Sequence, residues 1–130
     1  MSAAALANLC EIVYIMAIVK RIKPLKFRAD ALSVLAEFPD PVRREAGFEL
    51  FQVQSGEEPS DWKPMATIGS GVSEIRLRDE AGIFRILYVA KFVEAVYVLH
   101  CFGKKTQATD PRDIELGRKR FRRLVEERGK

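Results

Sequence analysis

Residues 73–107, SEIRLRDEAGIFRILYVAKFVEAVYVLHCFGKKTQ, restrict the fold of this chain more than any other stretch. They contain three runs rich in β-branched and aromatic residues, with turn chemistry between them. The first run, Ser73–Arg78, alternates: Ile75 and Leu77 fall on one face, Glu74, Arg76 and Arg78 on the other. The second, Ile83–Tyr88, places Arg85 between Phe84 and Ile86, where a strand should carry a hydrophobe. The third, Glu94–Phe102, is almost wholly apolar, as a strand covered on both faces would be, and it empties into Lys104-Lys105. Strands paired in sequence order therefore bring Arg76, Arg85 and the lysine pair together, and any function has to use that cationic group.

A chain of 130 residues is long enough to bury its own core as one domain. Net charge is +4, which favours a polyanionic partner, and eleven basic residues lie from Lys91 onward. Two cysteines, Cys10 and Cys101, are too few for a disulfide framework and suit a reducing cytoplasm. His100 is the only histidine, and as a strand neighbour of Cys101 it points to the opposite face, so no metal site is expected.

Towards the N-terminus, Ile12–Val19 is a continuous apolar run followed by Lys20, Arg21 and Lys23. A signal peptide wants its positive charge ahead of the apolar region, and the run is shorter than the ~20 residues of a membrane helix, so no membrane role is expected. The run is either a strand or short helix at the domain edge, or part of an upstream extension ahead of a natural start at Met16. The second reading is preferred, giving an extension over residues 1–15 and one domain over 16–130. Ile22–Phe27 contains Pro24 and reads as an edge strand. Ala29–Phe38 has Ala31, Val34, Leu35 and Phe38 at helical spacing. Asp40 as N-cap and Pro41 at the first helical position open a second helix, with Val42, Ala46, Leu50 and Val53 inward. Gly47 weakens that helix unless it allows close packing. Gln54–Pro64 reads as a loop, with Trp62 tucked onto the body beside Lys63, and Met65–Ile68 as a short strand. Thr109-Asp110-Pro111 starts a last helix running to about Glu127, with Ile114, Gly117, Phe121 and Leu124 inward and a basic outer face.

An arginine within a meander is a costly charge unless something anionic meets it. Either Glu74 or Asp79 neutralises Arg85, or the group Arg76, Arg85, Lys104 and Lys105 is a phosphate site, because guanidinium groups match phosphate bidentately. The basic helix GRKRFRR at 117–123 is either a solvated face or an RNA-holding one. His100 reads as a packed strand residue rather than a base.

The order of residues in EIRLRDEAGIFRILYVAKF…VYVLHCFGKKTQ, preceded by DWKPMATIGSGV and followed by a capped basic helix, resembles the RelE/HigB toxin superfamily and its phage-derived HigB-like branch. The similarity covers roughly Lys23 to Leu124. It implies an α+β microRNase fold, with two N-terminal helices packed on a twisted antiparallel sheet and a further helix at the C-terminus. It also implies a cytoplasmic toxin that cleaves messenger RNA on the ribosome, without a cofactor, and a cognate antitoxin of helix-turn-helix type. Arg76 corresponds to a basic residue on the first meander strand, Arg85 to the arginine of the family's aromatic-Arg-aliphatic motif, and Lys105 to the basic residue after the last strand. Two departures stand out: Glu74 replaces an expected second lysine, and no tyrosine follows Lys105.

The expected catalytic group is therefore Arg76, Arg85, Lys104, Lys105 and Glu74, with Lys63, Arg78, Arg118 and Arg122 as the RNA-binding residues. Glu74 is either the scaffold that holds the arginines or the general base replacing a lysine. The rival reading is a non-catalytic, prophage-derived module that binds RNA or protein through the same face.

Overall fold

A computed structural model of the chain describes residues 11–12, 22–104 and 108–129. The expectations for the 1–15 extension and the Ile12–Val19 run, residues 11–12 apart, and those for Cys10 and Lys105 lie outside the described residues. The elements run β1 (Leu25–Phe27), α1 (Ala31–Ala36), α2 (Asp40–Gln54), β2 (Trp62–Pro64), β3 (Val72–Asp79), β4 (Gly82–Val89), β5 (Val96–Lys104) and α3 (Pro111–Arg128). Among the described residues the protein is α+β, with these three helices about one five-stranded sheet of order β1-β5-β4-β3-β2.

The meander pairs as its alternation predicts. Asp79 stands opposite Gly82, leaving Glu80-Ala81 as a two-residue turn, and Asp79 Oδ1 accepts from the Ala81 amide at 2.7 Å. Gly82 holds φ at +142°, where a side chain would be strained. The sheet is not wholly antiparallel, because β1 joins the outer edge of β5 in parallel. Backbone bonds just outside β1 extend that pairing: Val96 N–H donates to the Pro24 carbonyl at 2.9 Å, and Arg28 N–H to the Val98 carbonyl at 2.9 Å. Pro24, which has no amide hydrogen to give, contributes only its acceptor.

Both sheet faces are covered. On one, Ile75, Leu77, Ile86, Tyr88, Val96, Val98 and Cys101 pack against Ala31 and Leu35 of α1, Phe38 beyond it, and Val42, Ala46, Leu50 and Val53 of α2. On the other, Leu87, Val89, Tyr97, Leu99 and Phe102 meet Met65, Ile68 and Leu124, with Ile114 and Phe121 of α3 partly buried against them. This explains why β5 reads as unbroken hydrophobe. A bulge between Leu87 and Tyr88 in the β4–β5 register skips Leu99, so Leu87 faces His100 while Tyr88 faces Val98.

Four local expectations need correction. Pro39, not Asp40, occupies the N-cap of α2, so no side chain caps it. Asp40 instead sits in the first turn, where its charge suits the helix dipole and pairs with Arg43 at 2.7 Å. The α1 helix is shorter than its apolar spacing, ending at Ala36 because the chain must turn before Pro39. Trp62–Pro64 is not loop but an edge strand on β3, tied down by Arg76 N–H donating to the Asp61 carbonyl at 2.8 Å. Met65–Ile68 is a turn closed by Ile68 N–H to the Met65 carbonyl at 2.9 Å, although both apolar side chains are buried. Space around Gly47 is open, with no atom within 4 Å of the position a Cβ would take, so close packing does not account for it. At α3 the reading holds: Asp110 is the N-cap, accepting from the Arg112 amide at 2.8 Å, and Pro111 follows.

A candidate anion site around a buried arginine and glutamate

Strand pairing puts Arg76 directly opposite Arg85, and Lys63 opposite Glu74. Like charges across a rung are destabilising on their own. The structure offsets this with Glu74, whose Oε1 lies 3.2 Å from Arg85 Nε and 4.0 Å from Arg76 Nε. Glu74 and Arg85 are each 1% exposed, whereas Arg76 is part-exposed. Of the two carboxylates considered for Arg85, Glu74 is thus the partner.

That neutralisation is incomplete. The Arg85–Glu74 contact lacks hydrogen-bond geometry, and Glu74 Oε1, Arg76 Nε, Arg85 Nε and Arg85 Nη2 have no hydrogen-bond partner among the described residues. Arg85 Nη1 donates to the carbonyl of Phe84 at 3.1 Å. Burial pushes the Arg85 guanidinium below its ordinary pKa; Glu74 opposes the shift, while Arg76 and Arg78 add to it. Donors taken out of water without acceptors are costly, and their uncompensated charge favours an anion at the surface above them.

Lys104, at the end of β5, belongs to the same group. Its pKa is lowered, first by burial and then by Arg85, with Glu74 opposing and Arg76 and Lys63 adding smaller effects in the same direction as Arg85. Lys63 on β2 and Arg78 on β3 are exposed at the margin. Arg76, Arg85, Lys104 and Glu74 are therefore brought together, with Lys63 and Arg78 beside them. Arg118 and Arg122 are elsewhere: they flank a shallow hollow on α3 floored by Ile68, Phe121 and Val125. Arg118 Nε there donates to the Thr67 carbonyl at 2.7 Å, and its Nη1 pairs with Glu115 at 3.1 Å.

Sequence reading missed Thr109, whose hydroxyl donates to Glu74 Oε2 at 3.2 Å and lies 3.5 Å from Lys104 Nζ. Its only sequence signal is its place just before the Asp110 cap. Asp61 was missed too, and its charge supports the protonated Arg85. His100 is packed as expected, stacked on Phe102 with ring centres 4.9 Å apart. Its Nε2 is 2.7 Å from Asp113 Oδ1, and its Nδ1 is 3.3 Å from Arg120 Nη1. Cys101 lies on the other face, in the core under α1 and α2.

Fold and site together define a small α+β protein whose central meander carries a buried, under-neutralised arginine beneath a cluster of surface cations. The family is shown by its sequence model: residues 33–122, more than two thirds of the chain, match the phage-derived protein Gp49-like family (DUF891), and the chain belongs to it. Neither a curated protein nor a solved structure matches the chain. No helix among the described residues is long and apolar enough to cross a membrane.

Proposed function

We propose that this chain is the toxin of a toxin–antitoxin pair and acts as a ribosome-dependent endoribonuclease on messenger RNA. The observation that carries the reading is the imbalance at Glu74. One buried carboxylate faces Arg85, Arg76 and Lys104, with Lys63 and Arg78 nearby, and Arg85 Nη2 finds no acceptor among the described residues. Such a surplus of positive charge in a sheet face suits a phosphodiester, and membership of a phage-derived family agrees with a toxin of prophage origin.

In this reading the 2′-hydroxyl attacks the adjacent phosphorus in line. The P–O5′ bond breaks, leaving a 2′,3′-cyclic phosphate on one fragment and a 5′-hydroxyl on the other. Arg76, the more exposed arginine, meets the phosphate oxygens, and Arg85 stabilises the added negative charge from beneath. Lys104, whose burial favours its neutral form, moves the proton between the attacking and leaving oxygens. Glu74, at 1% exposure, holds the arginines rather than touching RNA. The antitoxin is a helix-turn-helix protein with an acidic segment that covers the cationic face.

The test is induced expression in a bacterium, with growth and transcript 5′-ends followed together, beside an Arg85→Leu control. Growth arrest with new 5′-hydroxyl ends, absent in the control and relieved by co-expression of the adjacent gene product, is expected. Normal growth with unchanged transcripts, while purified protein still binds RNA, would instead establish the non-catalytic binding module.

A further inference from the structure

Thr109 is a neutral polar side chain hydrogen-bonded into this charged group, and hydrogen-bond polarity fixes what it can do. A threonine hydroxyl has one proton and two acceptor positions. Glu74 as a carboxylate can only accept, so the Thr109 proton goes to Glu74 Oε2, 3.2 Å away. Lys104 as an ammonium can only donate, so it approaches a lone pair of the same oxygen, at 3.5 Å. The order Lys104 to Thr109 to Glu74 is therefore directional. Thr109 is part-buried and stands immediately before Asp110, which caps α3, so the helix start places the hydroxyl.

Taking one Glu74 oxygen has a consequence for the other. Oε1 is left facing Arg85 Nε and Arg76 Nε, without hydrogen-bond geometry to either. A carboxylate free to rotate could close a bidentate pair with Arg85, which would cancel the charge that the buried guanidinium lends to the surface cations above it. Thr109 holds Oε2 and so opposes that rotation, which keeps the carboxylate's charge on the Lys104 side of the group.

We propose that Thr109 is a positioning residue that holds Glu74 out of a closed pair with Arg85 and presents Lys104 to the reacting phosphate. The inference rests on the endoribonuclease reading for the last step only, since the placement of Glu74 and Lys104 can be measured without any reaction. The charged groups that act on Lys104 are Arg85 of β4, Glu74 and Arg76 of β3, and Lys63 of β2; burial and the cations lower its pKa, and Glu74 supports its charge.

The experiment titrates the Lys104 side chain by NMR in lysine-labelled full-length protein, assigned with Lys104→Arg, and compares wild type, Thr109→Val and Thr109→Ser. Valine keeps the shape but removes both hydrogen bonds, so the Lys104 titration should move further down, and Thr109→Ser should return it towards wild type. A parallel titration with inorganic pyrophosphate should show weaker binding in Thr109→Val than in wild type, because the freed carboxylate would cancel the Arg85 charge beneath the surface cations. Where cleavage is observed, its pH profile should move with the Lys104 titration in each variant. A Lys104 titration and pyrophosphate affinity both unchanged in a folded Thr109→Val protein would overturn the inference. Absence of cleavage in wild type, with the expected NMR shifts present, would instead count against the endoribonuclease reading and leave the positioning role standing.

Discussion

Replacing Glu74 with glutamine is the perturbation the structure constrains best. The change keeps shape and an acceptor for Thr109, but it leaves Arg85, 1% exposed, without its one close carboxylate at 3.2 Å. Stranding one member of a buried ion pair costs about 3–5 kcal/mol, against about 0–1 kcal/mol for a surface pair. The missing hydrogen-bond geometry between the two puts the expectation near the lower end, about 3 kcal/mol. For a domain of this size that corresponds to a fall in Tm of roughly 10 °C. Urea unfolding monitored by circular dichroism measures it directly. The double variant Glu74→Gln/Arg85→Met removes both charges and should recover to within about 1 kcal/mol of wild type, since apolar replacement of a buried pair is often neutral or better. Phosphate or a short polyanion should raise the Tm of Glu74→Gln more than that of the double variant, because the stranded guanidinium supplies the site. A Glu74→Gln loss below about 1 kcal/mol, with no gain in the double variant, would refute the buried-pair account.

Gly47→Ala should stabilise the protein by about 1 kcal/mol in urea unfolding, since the position is mid-helix and open to a Cβ; a loss would mean that the helix needs its flexibility there. Glu49→Ala should cost about 2 kcal/mol and loosen β2, because the buried carboxylate accepts from both the amide and the hydroxyl of Ser60 at 2.7 Å; amide exchange at Lys63 reports it, and unchanged exchange would detach the strand from this anchor. Burial pushes the Cys101 thiol from 9.0 up to about 12. Its contribution to stability is therefore fully present below pH 9 and lost as pH rises towards 12, and in a Cys10→Ser background the native thiol should react with a disulfide reagent only at the rate of unfolding. Prompt reaction of the native protein at pH 8 would contradict that burial.

Much of the fold could be read from residue alternation, and the part that could not has one physical origin. The meander, its turn at Glu80-Ala81 and the Asp110 cap follow from local rules, because strand period, turn chemistry and capping act over a few residues. Trp62–Pro64 is a strand only because β3 offers it an edge, and Met65–Ile68 is a turn only because α3 and the sheet supply a pocket for two apolar side chains. Those are tertiary decisions, invisible to a window of sequence.

Glu74 shows the same limit at the site. Alternation places it correctly on the face of Arg76, but a face of charged residues reads as solvent-exposed until something is known to cover it. Here Thr109, just ahead of α3, hydrogen-bonds Glu74 on that face, Lys63 of β2 stands opposite it, and Glu74 is 1% exposed. Depth changes its chemistry: a carboxylate on the surface could take a proton from a substrate, whereas one at 1% exposure can only set the charge of its neighbours. The departure from the expected lysine at position 74 then has a structural logic. A lysine there would add a further cation beside Arg76 and Arg85 with nothing to offset the rung between them, whereas glutamate lets two arginines stand opposite each other while leaving one guanidinium edge unsatisfied. The site is kept positive, and the carboxylate limits how positive it becomes.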